Sequence, residues 1–337
     1  MILAALPCAC ESLIVKPSDT NLHMEDFEAA WSRINEVYPF LEFKGLDWDS
    51  VYQVYRPRFE TAAGDEFYHV FHDFLAELKD GHLWYTTDGG GKIYPFYPQR
   101  HFRDRHGYNP FVVRSYFESA LIVSESKVTE YGILPGNIGY LFISGFHGNY
   151  LIEEFPGILD FLKDTKGLIM DIRQKRGGSY QNVEAVVTRF MSDSLERPPL
   201  YLLGEFMDIP AFEPAGPFTY TNPVVVLVNG STFSAGELTT EIMKQLPQVT
   251  VIGDTTGGGG VVSSGGRPEH VGEFILPSGK QIYIGTGYFE RYDGKMFEWN
   301  GVAPDLLIPQ TGEETERGID RQLEYAIQLI ESETYEP

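Results

Sequence analysis

Cysteine is almost absent from this chain. Only Cys8 and Cys10 occur in 337 residues, both within the first ten. The folded body therefore offers no thiol pair for a disulfide and no cysteine cluster for a metal. Basic residues are also scarce: 26 Lys and Arg stand against 48 Asp and Glu, a formal charge of −22. So acidic a surface repels phosphate backbones, which sets nucleic acid aside as a partner, and its plain role is solubility. No segment approaches the roughly 20 apolar residues of a membrane span. Internal repeats and low-complexity blocks are missing. So is a phosphate-binding P-loop, because no lysine follows Gly257–Gly260.

What is present suits a large soluble fold, with 42% hydrophobic and 22% charged residues. The length exceeds what one hydrophobic core usually organises. Met1–Cys10 (MILAALPCAC) is apolar and the chain turns polar at Glu11. It reads as the tail of an export signal ending near a lipid-acceptor cysteine, Cys8 or Cys10, although the basic n-region is missing. The expected location is the cell envelope or beyond, the alternative being the cytoplasm.

Along the chain, residues 1–22 read as leader and linker. Residues 23–85 read as a helical subdomain. Phe27, Trp31, Ile34 and Tyr38 share one helical face until Pro39 ends it. Asp47 or Asp49 caps a second helix to about Phe59, and a third runs from about Asp65 to Leu78. Residues 86–136 read as a connector of strands and loops, with β-like runs at Phe111–Val113 and Ala120–Val123. From 137 to 337, apolar strands near 138–143, 167–172, 223–228 and 249–252 alternate with helical patterns near 151–162, 180–191 and 234–246. Hairpins near 269–290 and a closing helix from Arg317 to Ile330 follow. Such alternation predicts an α/β core with parallel pairing.

The strongest chemical signal is Pro223–Glu237 (PVVVLVNGSTFSAGE). A strand feeds a turn of small residues, and a helix opens at Ser234. That geometry exposes a hydroxyl and aims unpaired N–H groups and the positive end of a helix dipole at a developing oxyanion. Taken alone, Ser234 with Glu237 three residues on is equally an ordinary capping box. Three further segments bear on the choice. Asp80-Gly81-His82 alone would be a histidine in a surface turn. Asp171–Gly178 alone would be a strand-to-helix turn, although its Gly177-Gly178 pair lets backbone N–H groups approach a ligand. Glu298–Asp305 alone would be a turn with solvated charges.

In this order the four segments resemble the serine peptidase family of carboxy-terminal processing proteases and tricorn protease. The resemblance implies a crotonase- or ClpP-like α/β core of parallel-rich sheet and helices, with an N-terminal helical subdomain. Asp171–Gly178 is similar to the family's D-L-R-x-N-x-G-G segment, with Lys175 where the family has asparagine. The resemblance implies an oxyanion hole from the N–H groups of Gly177 and Ala235. One branch of the family uses a lysine base, and here Gly259 stands in its place, so a Ser–Lys dyad is excluded there. The tricorn-like branch uses histidine and glutamate, matched by His82 and by Glu298 before Gly301-Val-Ala-Pro-Asp305. No stretch resembles the family's PDZ module.

The expected activity is that of a serine endopeptidase acting on peptide or protein substrates through an acyl-enzyme. Ser234 is the nucleophile, His82 the general base, and Glu298 orients His82, directly or through intermediate groups. No metal and no organic cofactor are expected. His69 and His72 lie three apart on a helix, but no partners for a metal site are found near them, and His147 reads as structural or solvated. One rival assigns the triad to Ser234, Asp254 and His270, the chain order of α/β-hydrolases, although the first glycine of G-x-S-x-G is absent. A second rival is a non-catalytic module binding a hydrophobic ligand or peptide, its pocket lined by the aromatic-rich 84–118 segment.

Overall fold

The computed structural model describes residues 19–100, 107–173, 177–262 and 272–332. The leader with Cys8 and Cys10, Lys175 and Arg176, and His270 lie outside these.

Three helices open the described chain: α1 (Asp19–Val37), α2 (Trp48–Thr61) and α3 (Asp65–Ala76). Asp47 caps α2, its side chain accepting the Ser50 N–H at 3.1 Å. The faces predicted from spacing turn inward, and Phe27, Ile34, Phe59, Phe67, Phe71 and Phe74 form one buried cluster. Trp31 and Trp48 lock α1 to α2, each indole N–H donating to the other's backbone carbonyl at 3.0 and 3.1 Å. The same cluster reaches Tyr85, Ile282 and Ile284, so the helices pack on the small sheet formed by β1 (Trp84–Thr86), β2 (Lys92–Ile93), β12 (Glu273–Ile275) and β13 (Gln281–Tyr283).

Among the described residues the main sheet has seven strands. Five run parallel in the order β15 (Leu306–Leu307), β10 (Val249–Gly253), β9 (Val224–Val228), β6 (Leu168–Asp171) and β5 (Ile138–Ile143). Two antiparallel strands, β4 (Thr129–Leu134) and β3 (Ile122–Val123), complete the edge. Both faces are covered, which is why β6 and β9 read as unbroken apolar runs rather than alternating ones. Val224, Val226 and Val228 face the helices 150–162, 180–187 and 235–243. Val225 and Leu227 face the closing helix Arg321–Glu331 through Leu323, Ala326 and Ile330.

A third, small sheet contains β7 (Leu200–Leu202), β8 (Glu205–Met207), β11 (Val261–Val262) and β14 (Gly287–Phe289). Part of the hairpin expectation is thereby corrected. β12 and β13 do form an antiparallel pair, but Gly287–Phe289 pairs with Leu200–Leu202 instead. A second correction concerns Phe111–Val113, which is helical, within Pro110–Arg114. Asn109 caps it by accepting the Phe111 N–H at 2.9 Å, and Pro110 suits the first helical turn.

The end of β6 is anchored by a buried ion cluster. Arg173 donates to Asp171 (2.7 and 3.0 Å) and to both carboxylate oxygens of Asp320 (2.9 Å each), and all three side chains are buried. This ties the end of β6 to the closing helix. Removing the cation would strand two carboxylates in the interior, so Arg173→Met should cost about 3–5 kcal/mol of unfolding free energy. Urea denaturation of both proteins measures it; a loss below about 1 kcal/mol would contradict this role.

Candidate active site

Three neighbouring parallel strands end on one side of the sheet, and each delivers one part of the site. β6 leads to Gly177-Gly178, β9 to Asn229–Ser234, and β10 to Asp254–Gly260. Ligand sites in open parallel sheets lie outside these carboxyl ends. His82 arrives separately, from the turn between α3 and β1.

Ser234 opens the helix Ala235–Met243 with φ +56° and ψ −120°. For a residue with a Cβ this conformation costs on the order of 1–3 kcal/mol and persists only where surroundings enforce it. Glu237 does the enforcing. Its fully buried carboxylate accepts the N–H groups of Ser234 (3.0 Å), Gly258 (2.8 Å) and Gly259 (2.8 Å) and the Thr256 hydroxyl (2.6 Å). Burial pushes this carboxyl up to about 7, and the four donors restrain it from rising further. Half of the capping-box reading is thus realised, but the same carboxylate also binds the glycine loop to the nucleophile turn.

Gly177 lies directly against Ser234. Its φ is +79°, and a methyl group added there would sit 2.6 Å from Ser234 Cβ and 2.8 Å from Oγ. Its carbonyl accepts the Phe146 N–H at 3.0 Å, which fixes the peptide plane. Ala235 is in the first turn of the helix, where N–H groups have no intrahelical acceptor. The backbones of Gly177 and Ala235 therefore flank the hydroxyl.

His82 and Ser234 line one cavity of about 330 Å³. Among the described residues, neither ring nitrogen of His82 has a hydrogen-bond partner, so the two side chains face the same space without being bonded. Loose geometry of this kind is common before substrate binds. The imidazole stacks on Phe233, with centroids 4.4 Å apart. The space over Gly259 is filled by this stack: a methyl group at Gly259 would lie 2.1 Å from the Phe233 ring and 2.8 Å from His82 Cε1.

Among the described residues, Glu298 makes no hydrogen bond to the His82 ring. The carboxylate beside the imidazole is Asp80, 3.7 Å from Nδ1, with the His82 backbone N–H donating to it at 2.7 Å. Glu298 lies one group further back. It accepts from Lys44 Nζ at 2.5 Å and from the Gly260 N–H at 3.1 Å. Lys44, whose side chain is buried, also donates to the Tyr38 hydroxyl and the Leu78 carbonyl, both at 2.8 Å. Sequence reasoning did not single out Tyr38 or Lys44 for the site and gave Asp80 no role. Only Asp80, two residues before His82, carried a local signal.

One ammonium acts on two buried carboxylates in this network, by direct ion pairing with Glu298 and by its charge alone on Asp80. Burial favours the neutral form of Asp80, but His82 and Lys44 overcome it and hold its carboxyl down to about 2. Burial and then the Asp80 charge push Glu298 up to about 7, against the pull of Lys44. Burial, Asp80 and Glu298 likewise keep the Tyr38 phenol well above its ordinary value, so it stays a neutral donor. An ordinary glutamate loses its proton near 4.5, so between there and about pH 7 the folded state binds more protons at Glu298 than the unfolded one. This group's contribution to stability therefore falls as pH rises through that window. The wild-type melting temperature, taken relative to Glu298→Gln, should drop between pH 4.5 and pH 7.5. A difference that stays flat or grows would contradict the raised carboxyl.

Asp254, the carboxylate of the rival triad, faces a separate small cleft with Asn229, Gln310 and Gln322. No group of three or more potential metal ligands occurs among the described residues. No helix among them is long and apolar enough to cross a membrane.

The comparisons with known proteins agree with this architecture. The Peptidase family S41 pattern matches residues 137–308, and the Tricorn protease C1 domain pattern matches residues 20–76. The chain is 28% identical to the carboxy-terminal processing protease CtpB of Bacillus subtilis over 192 residues, 56% of this chain and 37% of that protein. It is 29% identical to tricorn protease homolog 1 of Streptomyces coelicolor over 205 residues, 58% of this chain and 17% of that one. A solved structure from Parabacteroides merdae superposes with a TM-score of 0.76 at 26% identity, covering 94% of this chain and 98% of the other. The fold and the site define an α/β peptidase-type core with an N-terminal helical unit. The chain belongs to peptidase family S41. The matched part spans under half the length of these two curated relatives.

Proposed function

We propose that this chain is a serine-type endopeptidase that hydrolyses peptide bonds through an acyl-enzyme. The observation that carries the reading is the Ser234 hydroxyl, held at a strained helix start against the Gly177 backbone and facing the same cavity as His82. Ser234 Oγ attacks the peptide carbonyl while the His82 imidazole takes its proton. The same proton then goes to the leaving amine, and water releases the acyl group in the mirror-image second step. The Gly177 and Ala235 N–H groups stabilise the tetrahedral oxyanion; one such donor is typically worth about 3–4 kcal/mol in the barrier. Asp80 orients His82 and supports its charged form, while Glu298 acts at one remove through Lys44.

A serine-reactive fluorophosphonate tests this reading. The wild-type protein should label on Ser234, and His82→Ala should label far more slowly. A folded protein that never labels would favour the non-catalytic binding module. For location, we propose an envelope protein anchored through the Met1–Cys10 segment. Metabolic incorporation of a labelled fatty acid, lost when Cys8 and Cys10 are replaced, would support it.

A further inference from the structure

We infer that the aromatic cavity beside His82 receives the substrate residue that follows the scissile bond, and that this residue carries an aromatic side chain. This inference rests on the peptidase reading above. Its first premise is chemical. When the Ser234 oxygen has bonded to the acyl carbon, the carbon–nitrogen bond breaks and His82 gives its proton to the departing nitrogen. The residue bearing that nitrogen must lie on the His82 side of Ser234.

Among the described residues, two depressions meet at Ser234, and they differ in this respect. One is a slot of about 60 Å³ along the nucleophile helix, bounded by Ala235, Leu238, Val183, Phe289 and Phe297 and not by His82. The other, of about 330 Å³, includes His82 in its wall. Leaving-group chemistry assigns the second to the departing side and the first to the acyl side.

The walls of the larger cavity are aromatic: Trp84, Tyr94, Tyr97, Phe233 and Tyr283, with Pro98 beside them. Its volume lies within the roughly 300–1,000 Å³ typical of ligand sites. Several rings are held in place before any ligand arrives. Trp84 stacks on Tyr283 at 5.7 Å with planes 9° apart, and Lys92 Nζ stands 3.4 Å from the Trp84 ring centroid. Phe233 is fixed against His82, and Tyr94 packs on Tyr97 at 5.9 Å. Aromatic rings favour offset or edge-to-face partners of their own kind over aliphatic groups of similar area. A Phe, Tyr or Trp side chain therefore gains most from this cavity, while the neighbouring slot admits only a small aliphatic one.

Two measurements on the full chain test this. The first uses internally quenched peptides varied at the residues flanking the bond, with cleavage sites read by mass spectrometry. Phe after the scissile bond should exceed Ala by about tenfold in kcat/KM, the discrimination that aromatic contacts supply. That ratio should shrink to about threefold or less in Tyr94→Ala and Tyr97→Ala. The second uses calorimetry of short peptides beginning with Phe or with Ala, added to the Ser234→Ala protein, and does not require turnover. Phe-led peptides should bind the more tightly. Hydrolysis with equal rates and equal binding for Phe and Ala overturns the inference and leaves the peptidase reading standing. Selective binding of Phe-led peptides to a protein without hydrolysis keeps the aromatic site and overturns the peptidase reading. Neither hydrolysis nor selective binding overturns both.

Discussion

Ser234→Ala is expected to abolish peptide hydrolysis, lowering kcat by at least about 10⁴-fold, while the protein keeps its melting profile. The size follows from the acyl-enzyme route: with no hydroxyl, only the oxyanion donors and substrate positioning remain, and those leave a small residual rate. The fold should persist because Ser234 is not what holds its own turn. Glu237 takes the Ser234 backbone N–H and ties it to Gly258, Gly259 and Thr256, and none of those bonds needs the hydroxyl. Alanine keeps the Cβ and so the same backbone strain, and any lost capping is worth only about 1 kcal/mol. Single-turnover assays beside circular dichroism decide the matter. Wild-type turnover in a folded Ser234→Ala protein would remove Ser234 from the chemistry.

Lys44→Met is expected to be the most damaging change to stability in the site, at about 3–5 kcal/mol, with activity falling alongside. The ammonium is buried against Glu298 and is the charge that pulls down both Asp80 and Glu298. Without it two buried carboxyls lose the ammonium that offsets their charge, and an uncompensated buried charge is far costlier than a lost pair. A second replacement isolates the cause. Glu298→Gln removes one of the excess negative charges, so the Lys44→Met/Glu298→Gln protein should be more stable than Lys44→Met alone. If the double variant is no better than the sum of the singles, charge balance is not what Lys44 provides.

The fold was legible wherever apolar periodicity was strong. Val224–Val228 followed by a small-residue turn reads as a buried strand entering a helix, and the faces of α1 and α3 announced themselves by three- and four-residue spacing. Short elements escaped. Phe111–Val113 was read as β by composition, but the Asn109-Pro110 pair makes it a helix start, a local capping effect stronger than propensity. β7 and β8, three residues each, are too brief to show a period. In the site, the segments holding Ser234, Gly177 and His82 could be read locally because each carries its own turn signal. The relation of Glu298 to His82 could not. It depends on Lys44 arriving from the loop after α1, a tertiary approach that leaves no trace in either segment's pattern.

The stack of Phe233 on His82 over Gly259 has a bearing on how such sites change over time. A lysine at Gly259 would begin with a carbon overlapping the Phe233 ring and crowding His82, so the two kinds of base compete for a single volume. Exchange of one for the other requires the aromatic ring to be vacated in the same step as the new amine is installed. Gly259→Lys made alone should therefore displace the Phe233–His82 stack rather than add an amine beside it.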